Sequence, residues 1–378
     1  MMAGIEIVPV TTSAELERFI RLPLRLNAHD PAWRAPLLME RREALTPKTN
    51  PFFEHADYQF WLAVKDGKDV GRISAQIDHL APTDPKDPGG YFGMIAAEDD
   101  PEIFSALFAV AEGWLKERGR TRALGPFNLS INEETGLLVD GFDTPPVVMM
   151  GHDQPYIGGR VEALGYKKAK DVYAFMVDVS EFPEKVRARV SRPPPPGVRL
   201  RPLDMKRYDE EVRALTEIVN EAWSHNWGFT PLTEAETQQL AKSMKPVLDP
   251  KLVWFAEIDG EIAGFGVCLP NINEATIGLN GKLLPFGWAK LLWRLKVKGV
   301  TTGRVPLMGV KRKFSHGWRG ALLPFLLIAA MAREAAKAGI REVEMSWILE
   351  DNKPMLSIIE AVNSRRYKTY RIYEKRLA

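Results

Sequence analysis

The sequence holds a single cysteine, Cys268, in 378 residues. One thiol makes neither an internal disulfide nor a cysteine-based zinc site, so a reducing compartment is expected and no metal is. Its setting, Phe265-Gly-Val-Cys-Leu269, is apolar and reads as a buried structural thiol. No basic segment followed by an apolar core opens the chain, so no secretory signal is expected. The longest apolar run, Ala321–Ala332, is too short to span a bilayer and contains Pro324. The expected location is the cytoplasm, with room for contact with the inner face of the cell membrane.

An excess of charge is also missing. The 51 basic and 49 acidic residues leave a formal +2, which argues against a protein coated in positive charge for duplex DNA. With 26% charged and 45% hydrophobic residues, disorder, collagen and coiled coil are excluded for the chain as a whole. The length suits two domains of about 150 residues or a little more.

Locally, the balance fails. Positions 275–333 contain no Asp or Glu but eleven Lys and Arg, so the remaining chain, with 40 basic against 49 acidic residues, is net −9. Within this stretch, Lys282–Lys298 reads as an amphipathic helix. Leu284, Trp288, Leu291, Leu292 and Leu295 share one face, and Lys290, Arg294 and Lys298 another. Trp and Leu opposed to Lys and Arg mark a helix in a lipid headgroup layer, or a core helix with a solvated basic face. The expected membrane contacts are Trp288, Lys290, Leu291, Trp293, Arg294, Leu295 and Lys298. Basic charge beside aromatics also suits RNA, but nothing here resembles a known RNA-binding module.

The chain repeats itself. Displacing it by 193 positions puts Pro9 on Pro202, Asn27 on Asn220, and Trp61, Ala63, Asp66, Gly67 and Gly71 on Trp254, Ala256, Asp259, Gly260 and Gly264. Both copies read as strand, Asp-Gly turn, strand. Each continues into strand, amphipathic helix and strand: Tyr91–Ala97, Pro101–Arg118 and Ala123–Asn128, then Val305–Val310, Ala321–Ala338 and Glu342–Ile348. Arg192-Pro-Pro-Pro-Pro-Gly197 is a stiff spacer. The expected organisation is two mixed α/β domains at 1–180 and 198–378, joined by a Pro-rich linker at 181–197.

That order of elements resembles the GNAT N-acyltransferase fold duplicated in tandem, each copy a mixed, mostly antiparallel sheet flanked by helices. The resemblance implies acyl-CoA as donor and an amine as acceptor. It implies a pyrophosphate on backbone amides between the fourth strand and the next helix, where helix N-termini favour anions. The first copy reads Glu98-Asp-Asp-Pro-Glu102 there and would repel the phosphates. The second reads Val310-Lys-Arg-Lys-Phe-Ser-His-Gly-Trp-Arg-Gly320, so Val310, Lys311, Arg312, Lys313, Gly317, Arg319 and Gly320 are the expected cofactor contacts. If Arg319 opens the family's Arg/Gln-x-x-Gly-x-Gly/Ala pattern, Leu322 and Pro324 stand where small residues belong. Asn352 matches an asparagine that such domains place near CoA. The tyrosine acid seven residues on is replaced by Ile359, with Tyr367, Tyr370 and Tyr373 nearby in sequence.

Gly125–Pro146 gathers Asn128, Ser130, Asn132, Glu133, Glu134, Asp140 and Asp143 into one polar stretch, an expected acceptor site. Glu134, Asp140 and His152 have the chemistry of a general base, and no spacing selects among them. This stretch, with His225-Asn-Trp-Gly-Phe-Thr-Pro231, also resembles a proteobacterial group of tandem GNAT proteins that includes the bacterial ceramide synthases. That adds Asn226 and Trp227 to Asn128, Ser130 and Asn132 as expected acceptor contacts. It implies transfer of a long acyl chain to a sphingoid-base amine. The rival expectations are a small-molecule or cell-wall acetyl or aminoacyl transferase, and a degenerate GNAT pair acting as a binding module.

Overall fold

In the computed structural model, which describes residues 4–377, the chain forms two compact units. The first comprises Met1–Val172, Thr276–Gly287 and Lys368–Ala378, the second Tyr173–Ala275 and Trp288–Tyr367. The expected segments were 1–180 and 198–378; here the division falls at Val172, ahead of the proline spacer. Residues 276–287 and 368–378 join the first unit.

The first unit runs β1 (Glu6–Pro9), α1 (Ser13–Leu26), α2 (Leu38–Ala44), β2 (Ala56–Lys65), β3 (Lys68–Asp78), β4 (Gly89–Ala97), α3 (Pro101–Glu117), β5 (Arg122–Gly125), β6 (Phe127–Asn128), β7 (Glu134–Thr135), β8 (Leu137–Asp140), α4 (Tyr156–Ala163) and the start of β9 (Lys167–Asp178). The second contains α5 (Glu184–Val190), β10 (Val198–Pro202), α6 (Tyr208–Trp223), α7 (Glu234–Met244), β11 (Val253–Ile258), β12 (Glu261–Pro270), α8 (Ile272–Ala275), α9 (Gly287–Trp293, whose first residue belongs to the first unit), β13 (Thr302–Val310), α10 (Arg312–Ser315), α11 (Trp318–Lys337), β14 (Glu342–Leu349) and α12 (Lys353–Ala361). The last strand, β15 (Arg365–Arg376), returns to the first unit. There it pairs antiparallel with β5 and β8.

The repeat seen in the sequence is a repeat of register. Pro9 lies opposite Trp61 on β1 and β2, and Pro202 opposite Trp254 on β10 and β11. Ala63 faces Gly71 and Ala256 faces Gly264, each pair beside a register shift. Asp66-Gly67 and Asp259-Gly260 all have positive φ, as a two-residue turn matched to strand twist requires. In each unit one parallel pair, β4 with β5 or β13 with β14, follows the antiparallel strands.

The helices start where capping chemistry permits. Thr12 and Glu15 form a reciprocal capping box on α1, and Thr233 and Glu236 do so on α7. Asp100 caps α3 ahead of Pro101. Inside α1, Pro23 lacks an N–H, which leaves the Phe19 carbonyl without its helical donor. Arg72 from β3 supplies one at 2.8 Å and stacks on the Phe19 ring. The apolar run 321–332 is the buried face of α11, which sets Leu323, Leu326, Leu327 and Met331 in the core. Cys268 is buried, and that burial pushes its thiol up to about 12. It is a packing residue.

Candidate functional site

The two parallel strand pairs differ in what lies beyond their pairing. In the second unit β13 and β14 pair only over Thr302–Val305 and Glu342–Met345. Pro306, with no N–H to offer the ladder, marks where they part. The gap is a cleft of ≈ 90 Å³. Met308, Met345, Trp347 and Met355 give it apolar walls, and Asn226 and Asn352 supply polar groups. Asn352 also caps α12 by accepting from Met355 N at 3.2 Å. The structure thus brings one expected cofactor residue and one expected acceptor residue to the same cleft. Sequence periodicity did not single out Trp347, whose Nε1 is buried without a hydrogen-bond partner.

In the first unit the matching gap is filled by the chain itself. The Phe127 carbonyl packs onto Gly93, where a Cβ would sit 1.8 Å from its oxygen. Asn128 Oδ1 accepts from Met94 N at 2.8 Å. Gln76 Nε2 donates to the carbonyls of Phe127 and Leu129 at 2.8 and 3.0 Å. Both ends of the Asn128 amide are engaged, since its Nδ2 donates to Glu134 Oε2.

The loop between β13 and α11 carries the expected phosphate contacts. Lys311 N donates to the Ala263 carbonyl, and Arg312 N to Glu221 Oε1 at 2.8 Å. Those two amides are therefore engaged. The start of α11 offers the alternative: Gly317, at φ 95°, provides no side-chain cap, and the following turn has amides without helical acceptors. Gly320 lies so close to Phe314 that a Cβ would fall 1.6 Å from the Phe314 carbonyl oxygen. The basic side chains are not left alone. Lys311 and Lys313 reach Glu261, Arg319 reaches Asp259 at 3.0 Å, and Arg312 donates to Ser224. Lys313, despite some opposing desolvation, draws the Glu261 carboxyl below its usual range, with Lys311 adding to it.

The amphipathic insertion is shorter than the spacing suggested. Its α-helix begins at Gly287, and Arg294–Lys298 continues as a π turn. The expected apolar face is divided. Leu291 and Leu295 pack into the core of the second unit, whereas Trp288, Leu292, Trp293 and Val297 are exposed. Leu284 precedes the helix and is 81% exposed. Arg294 is partly buried and donates to the Ala275 carbonyl at 2.8 Å, so it supports the fold. Lys290, Lys296 and Lys298 are exposed.

The first unit gathers the titratable candidates. Glu134 sits 3.5 Å from Arg41, and Asp140 is exposed at the end of β8. Ser130 Oγ accepts from Asn132 N. Trp227 follows Asn226 in a turn after α6 and is half-buried. His152 is 8% exposed, with Nε2 3.1 Å from Asp30 Oδ2. Burial lowers its pKa, the Lys368 charge adds to this, and Asp30 opposes both. Sequence reasoning passed over Asp30 and Asp153. Burial raises the Asp153 carboxyl to about 7; it accepts from Leu138 N, and Glu134 adds to the rise while Lys368 opposes it.

Asp153 yields a pH prediction. Its pKa in the folded chain exceeds the ordinary value of 3.8, so the folded state holds this proton more tightly than the unfolded chain. Its stabilising share is complete below pH 4 and is lost as pH rises towards 7. Asp153→Asn should therefore raise the urea midpoint at pH 8 relative to wild type and change it little at pH 4. An equal effect at both values would refute the assignment.

Among the described residues, no group of three or more His, Cys, Asp or Glu is placed to hold a metal, and no helix is long and apolar enough to cross a membrane.

No family model matches the chain. A protein named bacterial ceramide synthase, from Caulobacter vibrioides, is 62% identical over 377 residues, covering 99% of this chain and 98% of the relative. Protein YghO of Escherichia coli is 45% identical over 372 residues, covering 96% and 93%. Among solved structures, a tandem GNAT protein from the clavulanic acid biosynthesis pathway superposes over 99% of both chains, with TM-score 0.60 at 14% identity. A GCN5-related N-acetyltransferase from Sphaerobacter thermophilus covers 99% of this chain and 96% of its own, with TM-score 0.53 at 14% identity.

Proposed function

Because the chain belongs to the tandem GNAT-fold N-acyltransferase family of the bacterial ceramide synthase type, we propose that it moves a long acyl chain from acyl-CoA to the amine of a sphingoid base. The asymmetry of the two units carries this reading. The cleft between β13 and β14 is open, with apolar walls and the polar groups of Asn226 and Asn352, while its counterpart is filled by Phe127–Leu129. Acyl-CoA is assigned to the second unit, with its pyrophosphate at the start of α11.

Acyl transfer needs a neutral amine, so one proton must leave the acceptor ammonium. Glu134, Asp140 and His152 have the chemistry for it. Glu134 is held by Arg41 and Asn128, and Asp140 lies in the open. The neutral amine then forms a C–N bond with the thioester carbonyl and the C–S bond breaks. The second amine proton goes to the departing thiolate, and the base returns its proton to water. Ile359, where the family has a tyrosine, is fully buried. A thiol with a pKa of about 8.5 leaves readily without an acid.

Trp288, Leu292, Trp293 and Val297, with Lys290, Lys296 and Lys298, suit a lipid surface of negative charge, each lysine contributing about 1 kcal/mol near it. Changing these three lysines to Glu should abolish sedimentation with phosphatidylglycerol vesicles and leave the acylation of a soluble amine unchanged. Retained sedimentation would exclude this face.

The substrate reading is tested with palmitoyl-CoA and sphinganine, followed by mass spectrometry. The expected product is the N-palmitoyl amide and free CoA. Formation of neither, together with no calorimetric signal for palmitoyl-CoA, would overturn it.

A further inference from the structure

Among the described residues, those lining the cleft between β13 and β14 include no Asp, Glu, Lys, Arg or His. Such a wall suits neither a phosphate nor an ammonium, because a charge taken into it would lose water and gain no partner. It suits the uncharged part of a ligand. In an acyl-CoA that part includes the thioester, whose carbonyl oxygen gains negative charge during transfer and needs donors.

Most side-chain donors in the wall are committed elsewhere. Trp223 Nε1 donates to the Met308 carbonyl at 3.3 Å, and Ser346 Oγ donates to Glu344. Trp347 Nε1 is wholly buried and does not open on the cleft. Pro306 has no N–H at all. Two amides remain. Asn352 gives its oxygen to Met355 N, which leaves its NH2. Asn226 is half-buried at the cleft.

The backbone holds Asn226 in place. The helix before it, α6, packs on β13 at Gly309, where Ile218 and Ala222 lie 3.4 and 3.5 Å from the place of a Cβ. Trp223, the last residue of α6, is tied to β13 through Met308. In the turn that follows, Asn226 N donates to the Trp223 carbonyl at 2.7 Å, and its own carbonyl accepts from Phe229 N at 3.1 Å. The main chain is thus fixed on both sides. The Asn226 side chain hydrogen-bonds to none of the described residues, so its amide is the part left to meet a ligand.

We propose that Asn226 is a catalytic residue of the second unit: its Nδ2 donates to the carbonyl oxygen of the bound thioester and stabilises the negative charge that develops there. This rests on the assignment of acyl-CoA to that unit. As the amine forms its C–N bond, the carbonyl π pair moves onto oxygen, and the bond from Asn226 becomes charge-assisted and stronger. When the C–S bond breaks, the pair returns to the carbonyl and the thiolate leaves. Asn226 itself transfers no proton.

Replacing Asn352 would also uncap α12, whereas Asn226 can be changed alone. Asn226→Leu keeps the size of the side chain and removes the donor. It is compared with wild type by calorimetry with palmitoyl-CoA and by kinetics with sphinganine. Infrared spectra are recorded with palmitoyl-CoA carrying ¹³C at the thioester carbonyl. In wild type the carbonyl band should move to lower wavenumber on binding, and in Asn226→Leu that shift should be lost. The variant's kcat should fall by about 100-fold to 1000-fold. Its Kd for palmitoyl-CoA should rise no more than about tenfold, the share of one neutral hydrogen bond. The urea midpoint should stay where it is, as it would not if the side chain only held the turn. A band that does not shift in wild type, or shifts equally in both proteins, would overturn the proposal, and so would an unchanged kcat. No calorimetric binding of palmitoyl-CoA by wild type would instead overturn the assignment of acyl-CoA to the second unit.

Discussion

Replacing Gly320 with alanine should weaken acyl-CoA binding, raising the Kd for palmitoyl-CoA by about 100-fold, or close to 3 kcal/mol. The argument is steric. A Cβ at this position would lie 1.6 Å from the Phe314 carbonyl oxygen and 2.7 Å from its carbon. Both are backbone atoms, so no rotamer change relieves the clash. Either α10 and its carbonyl move, or the first turn of α11 shifts, and both displace the amides assigned to the pyrophosphate. Gly317 is the internal comparison. It has positive φ but nothing within 4 Å of an added Cβ, so alanine there costs about 1 kcal/mol of backbone strain and no collision. Calorimetry with palmitoyl-CoA checks both variants, with circular dichroism to confirm folding. Equal weakening by the two, or normal binding by Gly320→Ala in a folded protein, would remove the start of α11 from the binding site.

The second large effect is expected beside the cleft. Arg304 and Glu344 are 1% and 0% exposed, with Nε and Oε1 3.6 Å apart. The Arg304 Nε donates to Ser346 Oγ at 3.0 Å, its guanidinium lies over the Trp347 ring, and Ser346 and Tyr367 both donate to Glu344. Ser346 and Trp347 belong to the cleft wall, so the pair supports the surface that meets the ligand. Arg304→Met takes a positive charge away from the buried Glu344 and should cost about 3–5 kcal/mol in urea unfolding. Adding Glu344→Gln removes that buried charge and should recover at least half of the loss. A double variant no more stable than the single one would show that packing, rather than charge pairing, sets the value of Arg304.

These two cases show where the sequence was informative. The Asp-Gly hairpins are local: the turn needs positive φ at both residues, and that need is written in the two residues themselves. Pro9 with Trp61 and Pro202 with Trp254 repeat because the same strand pairing was used twice. The helices after β4 and β13 were legible from apolar spacing. Lys282–Lys298 reads in sequence as one helix, whereas the α-helix spans Gly287–Trp293 and Arg294–Lys298 is a π turn. Leu291 and Leu295 pack inward while Trp288 and Leu292 are exposed, a division that the helical period does not record.

The dyad of Asp30 and His152 was half legible. The histidine stood out by its chemistry, but its partner lies 122 residues earlier in the chain, and no spacing rule connects them.

By itself the sequence determined the duplication, the order of strands and helices, and the uneven distribution of charge along the chain. All of these are carried by neighbours or by short periods. Only the tertiary structure decided what that charge meets. Positions 275–333 contain no acid, yet Glu221, Asp259 and Glu261 arrive from other elements to contact Arg312, Arg319, Lys311 and Lys313. Only the tertiary structure decided which gap stays open, because the plug at Phe127–Leu129 is recognised by Gln76 and Gly93 across strands. Contacts of that kind depend on which distant segments pack together, and a composition or a period read along one strand carries no record of it.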